Sequence, residues 1–107
     1  MTQIVFSPEA LADLEHTKKY ITEELQNEQA AINTLSKIIK NIRMLEKFPQ
    51  SGPSLCAIVD FDTDYRYLIC GNYTAFYRYE NNTVYIIRVL YGRRNFMRIL
   101  FGESMEE

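Results

Sequence analysis

Between Pro8 and Leu45 the apolar residues recur at the three- and four-residue spacing of amphipathic helices, whereas beyond Tyr65 the period drops to two, that of strands. The chain thus divides into a helical first half and a sheet-forming second half. Gln3 to Phe6 is a short strand-like segment. Ser7-Pro8 then reads as a helix N-cap followed by proline at the first helical position, with Glu9 favourable at the positive end of the dipole. Leu11, Leu14, Ile21 and Leu25 give this helix one apolar stripe. Asn27 can cap a second helix, in which Ala31, Leu35, Ile38, Ile42 and Leu45 alternate by four and three until Phe48-Pro49 and Gly52-Pro53 stop it. Only a few residues join the two, which predicts an antiparallel helical hairpin with His16, Lys18 and Lys19 on its exposed flank. Gln50 to Thr63 is the one extended loop-like region, and there is no internal repeat.

Tyr65 to Cys70, Tyr73 to Glu80 and Thr83 to Tyr91 are rich in β-branched and aromatic residues. Gly71-Asn72 and Asn81-Asn82 separate them, two-residue loops of the kind that close tight hairpins, so a three-stranded antiparallel meander is predicted. If both turns hold two residues, Cys70 lies opposite Tyr73, Leu68 opposite Ala75, Arg66 opposite Tyr77, Tyr77 opposite Ile86 and Ala75 opposite Arg88. Arg66, Ala75, Tyr77, Ile86 and Arg88 then share one face, and Tyr67, Phe76, Ile87 and Val89 the other. Burying an unpaired arginine costs several kcal/mol, so the hairpin is expected to cover the face of Phe76, Ile87 and Val89. That leaves a cationic, tyrosine-lined groove on the face of Arg66 and Arg88, suited to unpaired bases or to an acidic amphipathic peptide.

Charge sharpens this picture. The net charge of -2 hides a segment from Arg66 to Leu100 with six arginines, no lysine and one acid, flanked by Asp60, Asp62 and Asp64 before it and Glu103, Glu106 and Glu107 after it. Arginine fits phosphates and carboxylates bidentately and stacks on aromatic rings, so this segment suits a nucleic acid or an acidic partner. The alternative is that its arginines pair with the flanking acids. Arg78, near a strand end, is read as a structural ion pair. Arg93 and Arg94, just past the last strand, lead the target-binding candidates, followed by Arg66 and Arg88 with Tyr77 between them. Phe96, Ile99 and Leu100 form the apolar face of a short terminal helix that docks on the protein or on a partner.

At 107 residues, 47% hydrophobic and 24% charged, the chain reads as one globular domain, residues 1–107. No apolar run reaches the ~20 residues a membrane span needs and the amino terminus lacks a secretion signal, so a cytoplasmic location is expected. Two cysteines without CxxC spacing and a lone histidine give no framework for a disulfide scaffold or a metal site, and no cofactor is expected.

The ordered motifs FSPEALADL, LEKFPQSG and RYLICGNYTAFYRYENNTVYIIRVLYGRRNFMRIL resemble the RelE/ParE superfamily of type II toxin–antitoxin toxins over nearly the whole chain. The resemblance implies an α+β fold: an N-terminal strand and antiparallel helical hairpin packed on an antiparallel meander, with a short C-terminal helix. It also implies a cognate acidic antitoxin. In RelE-type members, basic side chains support metal-independent mRNA cleavage on the ribosome. Arg66 matches the first of two basic positions before the central turn, but the second is Leu68. Thr74 stands where an arginine is expected, Gly92-Arg93-Arg94 keeps the glycine-basic-arginine segment, and Phe96 and Phe101 stand near the late tyrosine position. Each lost charge-stabilising group removes roughly 100-fold or more in rate. The sequence is therefore closer to the ParE-like, plasmid-stabilisation branch, whose members are associated with poisoning of DNA gyrase. The expected function is growth inhibition by engaging a replication target such as gyrase, with an mRNA endonuclease as the alternative and a non-toxic interaction module as the third reading.

Overall fold

The computed structural model describes residues 2–92 and 95–102. Its elements are β1 (Gln3–Phe6), α1 (Pro8–Lys19), a π-helical turn (Tyr20–Glu24), α2 (Glu28–Arg43), β2 (Arg66–Cys70), β3 (Tyr73–Glu80), β4 (Thr83–Tyr91) and α3 (Phe96–Phe101). Both helical caps form. The Ser7 hydroxyl accepts from the Ala10 amide at 2.9 Å, and Asn27 Oδ1 accepts from the Ala30 amide at 2.9 Å. The strands assemble in the order β1-β4-β3-β2, the last three as the expected meander and β1 parallel to β4. Asn81 and Asn82 take φ of 53° and 63°, the left-handed pair that a type I′ turn requires. This is an α+β arrangement of a hairpin, a four-stranded mixed sheet and a short C-terminal helix. No helix among the described residues is long and apolar enough to cross a membrane.

One irregularity rearranges the faces. The β2–β3 register is as expected, and Tyr77 does oppose Ile86, but Phe76 opposes Arg88 and Ala75 opposes Val89, which leaves Ile87 without a partner. This β-bulge adds one residue to β4 and shifts the alternation beyond it by one step. Val89 thereby joins Ala75, Tyr77, Val84, Ile86 and Cys70 on the face that the hairpin covers, together with Ala10, Ile38, Ile42 and Leu45. The expectation that the helices cover Phe76, Ile87 and Val89 and leave Ala75, Tyr77 and Ile86 open is overturned. Its premise fails because neither Arg66 nor Arg88 is left without partners, as their contacts below show.

Phe76 and Leu90 belong to the opposite face, which the loop after α2 and the terminal helix cover. Leu55 is buried against them, and half-buried Tyr65, Tyr67, Phe96, Ile99 and Phe101 close around it. Phe96 stacks on Phe76 at 5.5 Å between ring centres, and Phe101 meets Phe61 at 5.1 Å and Tyr65 at 5.3 Å. The terminal helix therefore docks on the protein itself.

The stripe expected on α1 also differs. Ala10, Asp13, Thr17 and Ile21 are buried, while Leu11 and Leu25 are 55% and 57% exposed. Small Ala10 lets α1 approach β4, and polar Asp13 can be buried because β4 supplies its partners.

Candidate functional site

Beyond Ile86, β4 has no neighbouring strand on its outer side among the described residues, since β1 ends at Phe6 opposite that residue. Its backbone groups there still need partners, and α1 supplies them. The Ser7 hydroxyl donates to the Ile87 carbonyl at 2.7 Å, and Asp13 Oδ2 accepts from the Val89 amide at 2.9 Å. The same carboxylate takes Arg88 bidentately, from Nε at 2.7 Å and from Nη2 at 2.8 Å. Asp13 is thus a charged substitute for a strand partner, placed one residue past the bulge. The hydrogen bond to Asp13 raises the Arg88 pKa further, so its charge is fixed.

A second cluster joins the loop after α2 to the sheet. Tyr77, with no exposed surface, donates its hydroxyl to the Pro49 carbonyl at 2.9 Å and accepts from the Gly52 amide at 3.0 Å. Arg66, at the start of β2, donates to the Gly52 carbonyl at 2.6 Å and to the Gln50 carbonyl at 3.2 Å. A Cβ on Gly52 would stand 2.7 Å from the Tyr77 hydroxyl, so only glycine fits this approach. Burial pushes the Tyr77 phenol above its usual pKa, a shift that the Gly52 hydrogen bond and Arg66 partly oppose. It is a neutral structural donor and acceptor here. Arg78 pairs with Asp64 and Glu80 at 3.0 and 3.1 Å, as its place near a strand end predicts.

These contacts decide what the sheet presents. Arg66 and Tyr77 meet at the hairpin-covered face, whereas Arg88 is in register with Phe76 and held by Asp13. The open groove expected around Arg66, Tyr77 and Arg88 does not form, because the bulge separates the two arginines and the hairpin buries the tyrosine. Arg93 and Arg94 lie outside the described residues. Sequence reasoning passed over Asp13, although a carboxylate between Ala10 and Thr17, at helical spacing, was its one visible trace.

A concave feature among the described residues lies elsewhere. A cleft of about 760 Å³ opens between α1, the π-helical turn, the start of α2 and the ends of β3 and β4. Ile21, Tyr73 and Val89 are among its lining residues, as are Tyr20, Leu25 and Tyr91. Tyr73 and Tyr91 meet edge to face at 5.4 Å.

A hairpin on one face of a meander and a short terminal helix on the other define a RelE/ParE-like α+β fold. One solved chain, from a chromosomal ParDE toxin–antitoxin system of P. aeruginosa, superposes with a TM-score of 0.72 over 86% of this chain and 97% of its own, at 18% identity. The model of the ParE toxin of type II toxin–antitoxin systems, parDE, matches residues 4–96, and the chain belongs to that family. No curated protein matches the sequence.

Proposed function

We propose that the chain inhibits bacterial growth by binding a replication target, DNA gyrase, in the cytoplasm, and that a cognate antitoxin neutralises it. Membership of the ParE toxin family over residues 4–96 carries this reading. The state of the arginines favours binding over catalysis. Phosphoryl transfer needs preorganised cations aimed at one reacting phosphate, whereas Arg88 and Arg78 are held by carboxylates and Arg66 by two carbonyls. Arg93 and Arg94 remain the proposed target contacts.

Purified gyrase tests the reading. Stoichiometric protein is expected to block supercoiling, and an Arg93→Ala/Arg94→Ala variant with an unchanged melting curve to lose most of the effect. Intact supercoiling alongside cleavage of translated mRNA would replace the reading with the endonuclease. Unaffected growth on expression without antitoxin would remove both.

A further inference from the structure

We propose that β1 is an interface strand through which two copies of this chain pair edge to edge, antiparallel across a two-fold axis, joining their four-stranded sheets into one. The backbone pattern points there first. The Gln3 amide donates to the Asn82 carbonyl at 3.1 Å, and just past the strand the Ser7 amide donates to the Ile86 carbonyl at 2.9 Å. Backbone groups alternate in direction along a strand, so Gln3, Val5 and Ser7 face β4 while the N–H and C=O of Ile4 and Phe6 point outward. β1 ends the sheet, and among the described residues nothing bonds to those outward groups. Open groups in a row are a template for another strand.

The two edges of the sheet differ. At the β2 edge the Tyr67 amide donates to the Pro53 carbonyl at 3.1 Å and the Leu55 amide to the Tyr65 carbonyl at 2.8 Å, so the preceding loop pairs with the start of that strand. Its far end is guarded by a charge, since the Lys37 stem lies 3.4 Å from where a Cβ on Gly71 would stand. Edge strands are usually blunted by such lysines, by proline or by bulges. β1 has none of these: Thr2 to Ser7 holds no charged residue and no proline, and its pairing with β4 runs without a register shift. Its Val5 side chain is 44% exposed, beside Tyr85 at 37%.

Charge and symmetry select the occupant. A charged segment finds no opposite charge on this strand, whereas a second copy brings the same neutral sequence. In the antiparallel register centred on Val5, Ile4 of one copy exchanges two hydrogen bonds with Phe6 of the other, and symmetry repeats the exchange, which satisfies every outward group of both residues. Val5 then faces its counterpart in a non-hydrogen-bonded pair, about 4.5 Å between Cα atoms, and gains an apolar neighbour. The axis stands normal to the sheet, so both hairpins lie on one side, where Ile4 and Phe6 of each copy already pack against the core. So short a strand pair buries less than the roughly 1,200 Å² of a stable complex, and the dimer is therefore weak and reversible.

Sedimentation velocity on the purified full chain, between roughly 10 μM and 1 mM, tests the proposal. The parent is expected to pass from monomer towards dimer as concentration rises. Val5→Lys and Val5→Asp each set like charges face to face on the axis and should weaken association at least about tenfold. An equimolar mixture of the two variants should recover it as a mixed dimer. Exposed Val5 tolerates either charge, so both variants should keep the parent's circular dichroism spectrum. Ile69→Lys, the same kind of change at an exposed position of the other edge strand, should associate like the parent. A parent that stays monomeric at the highest concentration overturns the proposal, as does a dimer that survives in both Val5 variants. A mixture that stays monomeric refutes the register centred on Val5, and loss of the dimer in Ile69→Lys moves the interface to β2; either result overturns the proposal too. None of these outcomes depends on whether gyrase is inhibited.

Discussion

Asp13→Asn keeps the shape of the side chain and removes its charge, which isolates what the carboxylate does at the edge of β4. Three hydrogen bonds converge on that carboxylate, two from Arg88 and one from the Val89 amide. An amide can keep one acceptor contact, but its NH2 then faces the guanidinium donors. Breaking one partner of a buried ion pair costs about 3–5 kcal/mol. Asp13 is 9% exposed, but the Arg88 side chain is 25% exposed, so water recovers part of the loss and the lower end, about 3 kcal/mol, is expected. For a domain of this length each kcal/mol moves the melting point by roughly 4–8 °C, so the variant should melt roughly 12–24 °C below the parent. Urea denaturation followed by circular dichroism supplies the free energy, and Arg88→Met completes a double-mutant cycle. The double variant should be more stable than the sum of the singles predicts, by about 1–3 kcal/mol. A loss under about 0.5 kcal/mol in Asp13→Asn, or an additive cycle, would mean that desolvation cancels the pair and that α1 is held by its apolar contacts alone.

Gly52→Ala should destabilise by about 1–3 kcal/mol in urea, because the added methyl meets the Tyr77 hydroxyl at 2.7 Å and the loop must move off the sheet. Tyr77→Phe should cost about 1–3 kcal/mol near neutral pH, since the Pro49 carbonyl and Gly52 amide lose their partner. Burial raises the Tyr77 pKa, so its contribution is complete below the ordinary tyrosine value of ~10 and disappears as pH rises through the raised one; stability curves of Tyr77→Phe should therefore fall less steeply on the alkaline side. The Cys70 thiol, pushed up to about 11 by burial, should resist an aromatic disulfide reagent until the protein unfolds, while exposed Cys56 reacts at once; two equally fast thiols would contradict the packing around Cys70.

Much of the architecture was legible because local signals and burial agree. Ser7-Pro8 and Asn27 sit where the caps form, and Asn81-Asn82 sets the second hairpin. The faces were not legible, for a physical reason. A bulge costs little locally and leaves no compositional mark in YIIRVL, yet it reverses the side chains beyond Ile87. The site suffered from the same blindness to long-range partners: Arg88 looked like a free cation because Asp13 lies 75 residues away in sequence. Similarly, Tyr77 looked like a stacking platform because nothing near it in sequence shows that Pro49 and Gly52 would meet its hydroxyl. Arg78 was read correctly because its acids, Asp64 and Glu80, lie close to it along the chain or on the adjacent strand end.

The unpaired Ile87 makes β4 two half-strands in opposite phase. Ahead of it Val84 and Ile86 serve the hairpin; after it Val89 does, while Leu90 serves the terminal helix. Removing that single residue would restore an unbroken ladder in which Phe76 still opposes Arg88 and Ala75 still opposes Val89, so neither face would change hands. In register the deletion is therefore neutral, and what it would remove is the local kink and extra twist that the bulge gives β4. Sequence drift at this position can therefore absorb a one-residue gap as well as conservative exchanges of Ile87, while the residues on either side hold the two faces in place.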